Sequence, residues 1–306
     1  MAVDSKQGGL LKLTTLCTAA IAALSITLSM AAQAGPIILG GDDLTDHGSR
    51  TAAGTNLAGW LYIEKAVSNL LSTETRSGAI TTDIVALGSA ANPAFSVSNA
   101  GGAIGSAANV LGKSVLYING AAAINQFFAN LASGAVNSRM LWMAGNGANN
   151  DLDASEGLAL TANAAAINAF GASGGGIMAH GSGIVAYGWL SALLPGLSDS
   201  GSCNSRGATL TAAGQAAFPG LSNNDINANA GPCHSSFVGN FGGLTTLAFD
   251  GGQRSYLIGG GTGTIIQCGQ PGQPACPTPE PGTLPVVALG LLGLWYAVRR
   301  RSGDRS

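Results

Sequence analysis

From residue 36 onward the chain alternates short apolar runs that stop at glycine with longer stretches of helical periodicity. That alternation predicts an α/β domain, a mostly parallel sheet with helices on both faces, because each parallel strand needs a crossover and the crossover is most often a helix. The expected strands are 36–39, 83–87, 114–118, 138–144 and 177–180. The expected helices are 56–71, 121–131, 155–170 and a segment from 183 toward 194, ended by Pro195-Gly196. Asp153 and Glu156 sit three apart at the start of the third helix, as in a capping box. The Gly/Ala/Ser/Asn stretch 89–112 reads as a long loop. Near the end, 244–249 and 255–258 read as strands joined by Asp250-Gly251-Gly252, a hairpin-type step that predicts an antiparallel C-terminal edge. No period of 20–50 residues recurs, which excludes a solenoid or propeller.

The ends of the chain differ from this middle. Lys6 and Lys12 precede a largely apolar stretch, 16–30, and Ala32-Gln33-Ala34 is a small-x-small site before Gly35. The pattern predicts a signal peptide over 1–34, removed by signal peptidase. At the other end Pro279-Glu280-Pro281 precedes an apolar run, 284–298, and then Arg299-Arg300-Arg301. As a helix the run is roughly 22 Å long, short for a comfortable membrane span. The arginines place its far end in the cytoplasm and the body outside. The expected division is signal peptide 1–34, α/β domain 35–267, Cys/Pro/Gly-rich linker 268–282, and hydrophobic helix with basic end 283–306. A plain C-terminal anchor is the alternative reading of the last segment.

Charged residues make up 9% of the chain against a typical ~25%, and glycine accounts for 47 of 306 residues. Lysine and arginine are scattered singly through the body, so no basic face exists for nucleic acid. Cys17 leaves with the signal peptide, and Cys203, Cys233, Cys268 and Cys276 remain. An even number in an oxidising compartment favours disulfides, and sequence order favours Cys203–Cys233 with Cys268–Cys276. A zinc site is the competing reading; it lacks a C-x-x-C pair.

Binding sites of parallel α/β sheets lie at the carboxyl ends of the strands. His47 follows the first strand in the run Asp42-Asp43-Leu44-Thr45-Asp46-His47, and His180 ends the strand after Gly174-Gly175-Gly176. His234 lies in a loop before the last strands. Asp42, Asp43, Asp46 and His234 are therefore candidate binding residues, and His47 and His180 candidate catalytic ones. A carboxylate–imidazole cluster of this kind holds a metal or a polar ligand, and its protonation varies between about pH 5 and 8. The alternatives are a solvated Asp turn at 42–43 and a buried, hydrogen-bonded His180. Asp151, Asp153 and Glu156 lack EF-hand spacing, and the last two already have a capping role. Trp60, Tyr62, Trp142 and Trp189 fall on regular elements and read as core or groove lining rather than as a carbohydrate platform. Neither the substrate nor any cofactor is named by these residues.

Two resemblances add to this reading. Pro279-Glu280-Pro281, the short helix and Arg299–Arg301 together resemble the PEP-CTERM sorting signal over 278–301. That resemblance implies export in a Gram-negative bacterium, processing by an exosortase-type membrane protease, and an association with exopolysaccharide. The run Gly174-Gly175-Gly176-Ile177-Met178-Ala179-His180-Gly181-Ser182 is similar to the central strand and elbow of class I glutamine-amidotransferase-like domains, especially the trehalose-utilisation branch. It implies a flavodoxin-like architecture. Two departures put activity in doubt: the elbow cysteine of amidotransferases is replaced by His180, and the residues around Ser182 miss the G-x-S-x-G hydrolase pattern. The expectation is an exported, sorted envelope or surface protein binding polysaccharide or another envelope component. The alternative is a divergent hydrolase using His47, His180 and the aspartates, with or without a metal.

Overall fold

The structure, a computed structural model, describes residues 35–95, 99–147 and 151–260. The expected signal peptide, the Cys268 and Cys276 pair and the sorting tail with Pro279, Glu280, Pro281 and Arg299–Arg301 lie outside the described residues.

The chain runs β1 (Ile37–Gly40), β2 (Gly48–Arg50), β3 (Asn56–Ala58), α1 (Gly59–Thr73), β4 (Thr82–Leu87), α2 (Ala100–Leu111) and β5 (Val115–Ile118). It continues through α3 (Ala121–Ser133), β6 (Ser138–Met143), α4 (Ala154–Ala162), α5 (Ala164–Ala172), β7 (Gly176–Ala179), α6 (Gly183–Tyr187), α7 (Leu190–Leu193) and β8 (Leu197–Asp199). The last part holds β9 (Thr209–Leu210), α8 (Ala212–Ala217), a 3₁₀ helix (Asp225–Ala230), β10 (Phe237–Gly239), β11 (Thr245–Phe249) and β12 (Ser255–Gly260).

The main sheet has the order β5-β4-β6-β7-β1-β12-β10-β8, with β11 and β9 branching from β12. The first five strands are parallel, and β12, β10, β8, β11 and β9 form an antiparallel edge. This is the expected α/β class. The crossovers from β1 and β4 move toward one end of the sheet, and those from β5 and β6 move back. Right-handed connections therefore put α1 and α2 on one face and α3, α4 and α5 on the other. Helix packing agrees: α1 meets α2, α8 and the 3₁₀ helix, whereas α3 meets α4 and α4 meets α6. β1, β6 and β7 are buried almost throughout, as expected for strands covered on both faces. Trp60, Trp142, Trp189, Tyr62, Tyr256, Phe127, Phe170 and Phe218 are the largest fully buried side chains.

Four elements depart from expectation. The stretch 89–112 is not all loop: α2 occupies its second half, capped by the Asn99 side chain on the Gly102 amide and by left-handed Gly112. Its small residues hide the helical period but allow a close approach to α1. Residues 56–58 form a strand paired with β2, and the helix begins only at Gly59, where a Cβ would stand 2.1 Å from the Leu44 carbonyl oxygen. The expected helix 155–170 is two helices, interrupted at Asn163, whose side chain donates to Ala159 O and Asn125 Oδ1. The segment after His180 is likewise broken into α6 and α7. The capping box of Asp153 and Glu156 and the Asp250 turn form as read.

Candidate functional site

β1 leads to α1 on one face of the sheet and the neighbouring β7 leads to α6 on the other. The crevice between their carboxyl ends is a topological switch point. Asp42 lies just past β1, and His180 directly follows β7. The loop 41–47 is folded tightly over this end. Asp46 N donates to Asp43 O, His47 N to Leu44 O and the Trp60 indole to Thr45 O at 2.7 Å.

The inner part of the site is fully buried. His180 Nδ1 lies 2.9 Å from Asp42 Oδ1, and the Trp142 indole N–H donates to His180 Nε2 at 3.1 Å. Because Nε2 accepts that bond, the ring proton sits on Nδ1 and is donated to Asp42. Both ring nitrogens are therefore committed, and neither is left for a ligand. Asp42 Oδ1 also accepts the Leu44 amide at 3.0 Å, so the expected Asp turn and the histidine contact coexist on one oxygen. Asp42 Oδ2 packs against Gly40, where a Cβ would stand 1.6 Å away. Oδ2 and the buried Tyr62 hydroxyl have no hydrogen-bond partner among the described residues. Tyr62 meets the His180 ring edge-on, with centroids 6.2 Å apart, and meets Phe218 on its other side at 5.4 Å.

The outer part is accessible and centres on Asp43. His234 Nε2 is 2.8 Å from Asp43 Oδ2, and His47 Nε2 is 3.3 Å from Oδ1, the latter a looser ion-pair contact. Burial alone would raise the Asp43 carboxyl, but hydrogen bonds from His234 and His47 outweigh it and hold the pKa at about 2. The same bonds raise both imidazoles above their ordinary range, against partial burial. Asp46 adds negative potential at His47. Asp151, at the far side of the 145–152 loop, is pushed up to about 8 by burial and by the like charges of Asp46, Asp43 and Asp42. It keeps a proton at neutral pH that an ordinary aspartate has lost.

Two consecutive aspartates thus gather all three histidines of the chain: Asp42 holds His180, and Asp43 holds His47 and His234. Asp151 is a member that spacing arguments passed over. Its signal was the loop position after β6, at the same end of the sheet as His180. Among the described residues no group of three or more His, Cys, Asp or Glu side chains is arranged to hold a metal ion. The four aromatics Trp60, Tyr62, Trp142 and Trp189 are buried core residues.

Cys203 and Cys233 form a disulfide with Cα atoms 6.1 Å apart. The zinc reading of these two cysteines is thereby replaced. The bridge stands beside the site, because Cys233 pairs with Asp42 as an isolated β-bridge and precedes His234.

No curated protein and no solved structure matches the chain, and the likeness of 174–182 to glutamine-amidotransferase-like domains gains no support. Residues 277–301 match the PEP-CTERM protein-sorting motif. That match supports an exosortase-sorted protein, exported to the cell envelope or surface, with an exosortase-type protease as its processing partner.

Proposed function

We propose that the α/β domain is a ligand-binding module of this exported protein, and that its outer Asp43–His47–His234 cluster binds a hydroxyl-rich envelope polysaccharide. The observation that carries the reading is the split within the cluster. The inner pair uses every ring nitrogen of His180 internally, while the outer pair leaves His234 49% exposed on a carboxylate at the mouth of a switch-point crevice. Carboxylate and imidazole groups supply acceptors and donors for sugar hydroxyls. With the tryptophans buried, recognition rests on hydrogen bonds rather than on ring stacking. The reading gives His180 a positioning role and does not invoke hydrolysis by His180 and His47.

The test is binding of purified domain to exopolysaccharide from the native host, by co-sedimentation or calorimetry. His234→Ala and Asp43→Asn are expected to weaken binding by about tenfold or more, as loss of a charge-assisted hydrogen bond implies. Binding that is absent in the wild type, or untouched by both substitutions, refutes the assignment.

A further inference from the structure

We propose that the Cys203–Cys233 disulfide is a redox latch on the outer cluster: oxidised, it holds His234 on Asp43; reduced, it lets the His234 loop leave. This rests on reading that cluster as the ligand site. The bridge closes the base of an excursion, 204–232, that contains β9, α8 and the 3₁₀ helix. The body of the excursion is anchored without the bridge. Phe218, Leu221 and Ile226 are buried, and Phe218 stacks edge-on against Tyr62. Its return to the sheet is what touches the outer cluster. There Pro232 O accepts the Asp43 amide at 2.9 Å, Cys233 bridges to Asp42, and His234 N donates to Gly41 O at 2.8 Å. The segment around Cys203 is tied to this return by hydroxyl and backbone bonds, Ser200 N to Ser236 O at 2.8 Å and Gly201 N to the Ser235 hydroxyl at 3.0 Å. Ser200 and Gly201 are exposed, so these bonds compete with water. The covalent bridge adds a link between the two segments that does not depend on hydrogen bonds at this exposed edge.

The two sulfurs are unequally accessible. Cys233 is buried, whereas Cys203 is partly exposed in a surface loop. A dithiol reductant reaches Cys203. Its thiolate attacks the Cys203 sulfur, the S–S bond breaks, and Cys233 departs as a thiolate that takes up a proton. The reductant's second thiol then resolves the mixed disulfide, leaving two protein thiols and one oxidised dithiol.

The experiment is an NMR titration of the three histidine rings in the full chain, before and after dithiothreitol, with reduction verified by mass. The oxidised protein is expected to show His234 titrating above the ordinary value of about 6.5. After reduction its midpoint should fall back toward that value, while His47, held by the Trp60-anchored loop, keeps its raised one. The double variant Cys203→Ser with Cys233→Ser should reproduce the reduced pattern, which separates this pair from Cys268 and Cys276. An unchanged His234 midpoint in reduced protein overturns the latch. So does unfolding on reduction seen by circular dichroism, since the bridge would then be a staple for the whole domain. The histidine readout needs no ligand: a wild-type domain that binds no polysaccharide counts against the proposed function, while the His234 shift still decides the latch.

Discussion

The two ends of the parallel sheet both carry charge clusters, and they solve the electrostatic problem in opposite ways. At the amino ends of β4–β6, Arg139 Nε and Nη2 meet Glu74 Oε1 at 2.6 Å, and Asp83 lies between Arg139 and Lys113. Arg76 donates to Asn137 at 2.7 Å and stacks over Phe170. Opposite signs alternate there. Burial works against Asp83, but bonds from Ser114 and the nearby cations hold its carboxyl below the usual range. A cavity of about 450 Å³ opens among these residues, yet its arginines are already engaged by the protein. At the carboxyl ends of β1 and β7, four aspartates crowd three histidines, and one aspartate retains its proton. Paired charges of the first kind are what a scaffold needs. Crowded like charges cost stability, and sites that bind or react are where such a cost is found.

The sharpest way to break this contrast is at Asp42. Asp42→Ala removes the acceptor of the buried His180 N–H and of the Leu44 amide, and should cost about 3 kcal/mol, or roughly 6–12 °C in Tm. A thermal melt by circular dichroism within about 2 °C of wild type would show that the inner pair does not support the fold. At the opposite end, Arg139→Met takes the guanidinium away from the nearly buried Glu74 Oε1, leaving only the Arg76 amide on Oε2, and should cost about 2 kcal/mol. If Arg139→Met also weakened ligand binding, the division into scaffold end and binding end would be wrong.

Much of this was legible because the chain puts its rare chemistry at strand ends. Asp42, Asp43, His47 and His180 each follow an apolar run, and parallel strands send all such ends to one side. His234 was legible as a candidate, but its place was not. It reaches Asp43 through a loop pinned by Cys233, and no periodicity forecasts the partner of a loop. Asp151 was passed over because its neighbours Asp153 and Glu156 have a local capping role, and proximity to Asp46 arises only from tertiary folding. The commitment of His180 depends on Trp142, 38 positions earlier in the chain on the preceding, neighbouring strand β6. The helix α2 escaped notice for a different reason. Glycine and alanine pack as well as leucine against a close neighbour but leave no apolar stripe.

The smallest expected effect is the most specific to the crowded end. Asp151 has a folded pKa of about 8, above the ordinary carboxylate value, so the native state holds a proton that the unfolded chain has lost. Stability must then fall as pH rises from about 4 through 8. His47 and His234 act in the same direction: their raised values contribute stability that is complete below about 6.5 and is lost as pH climbs through them. Asp43 acts oppositely, contributing above about 4 and losing its effect as pH falls toward 2. Together these groups set the cluster's optimum near pH 4: Asp43 is fully charged there, and the decline through Asp151 has only begun, to be joined by the two imidazoles above about 6.5. Asp151→Asn supplies a neutral side chain of the same shape, so it should leave Tm unchanged near pH 4 and raise it by about 2–6 °C at pH 8. The same change should flatten, without abolishing, the decline between pH 6 and 8, because the two imidazoles still titrate there. Arg139→Met, by contrast, should lower Tm without altering its slope against pH over that range. An Asp151→Asn protein whose Tm tracks wild type at every pH would mean that the aspartates do not crowd one another, and the distinction between the two ends of the sheet would then rest on the histidines alone.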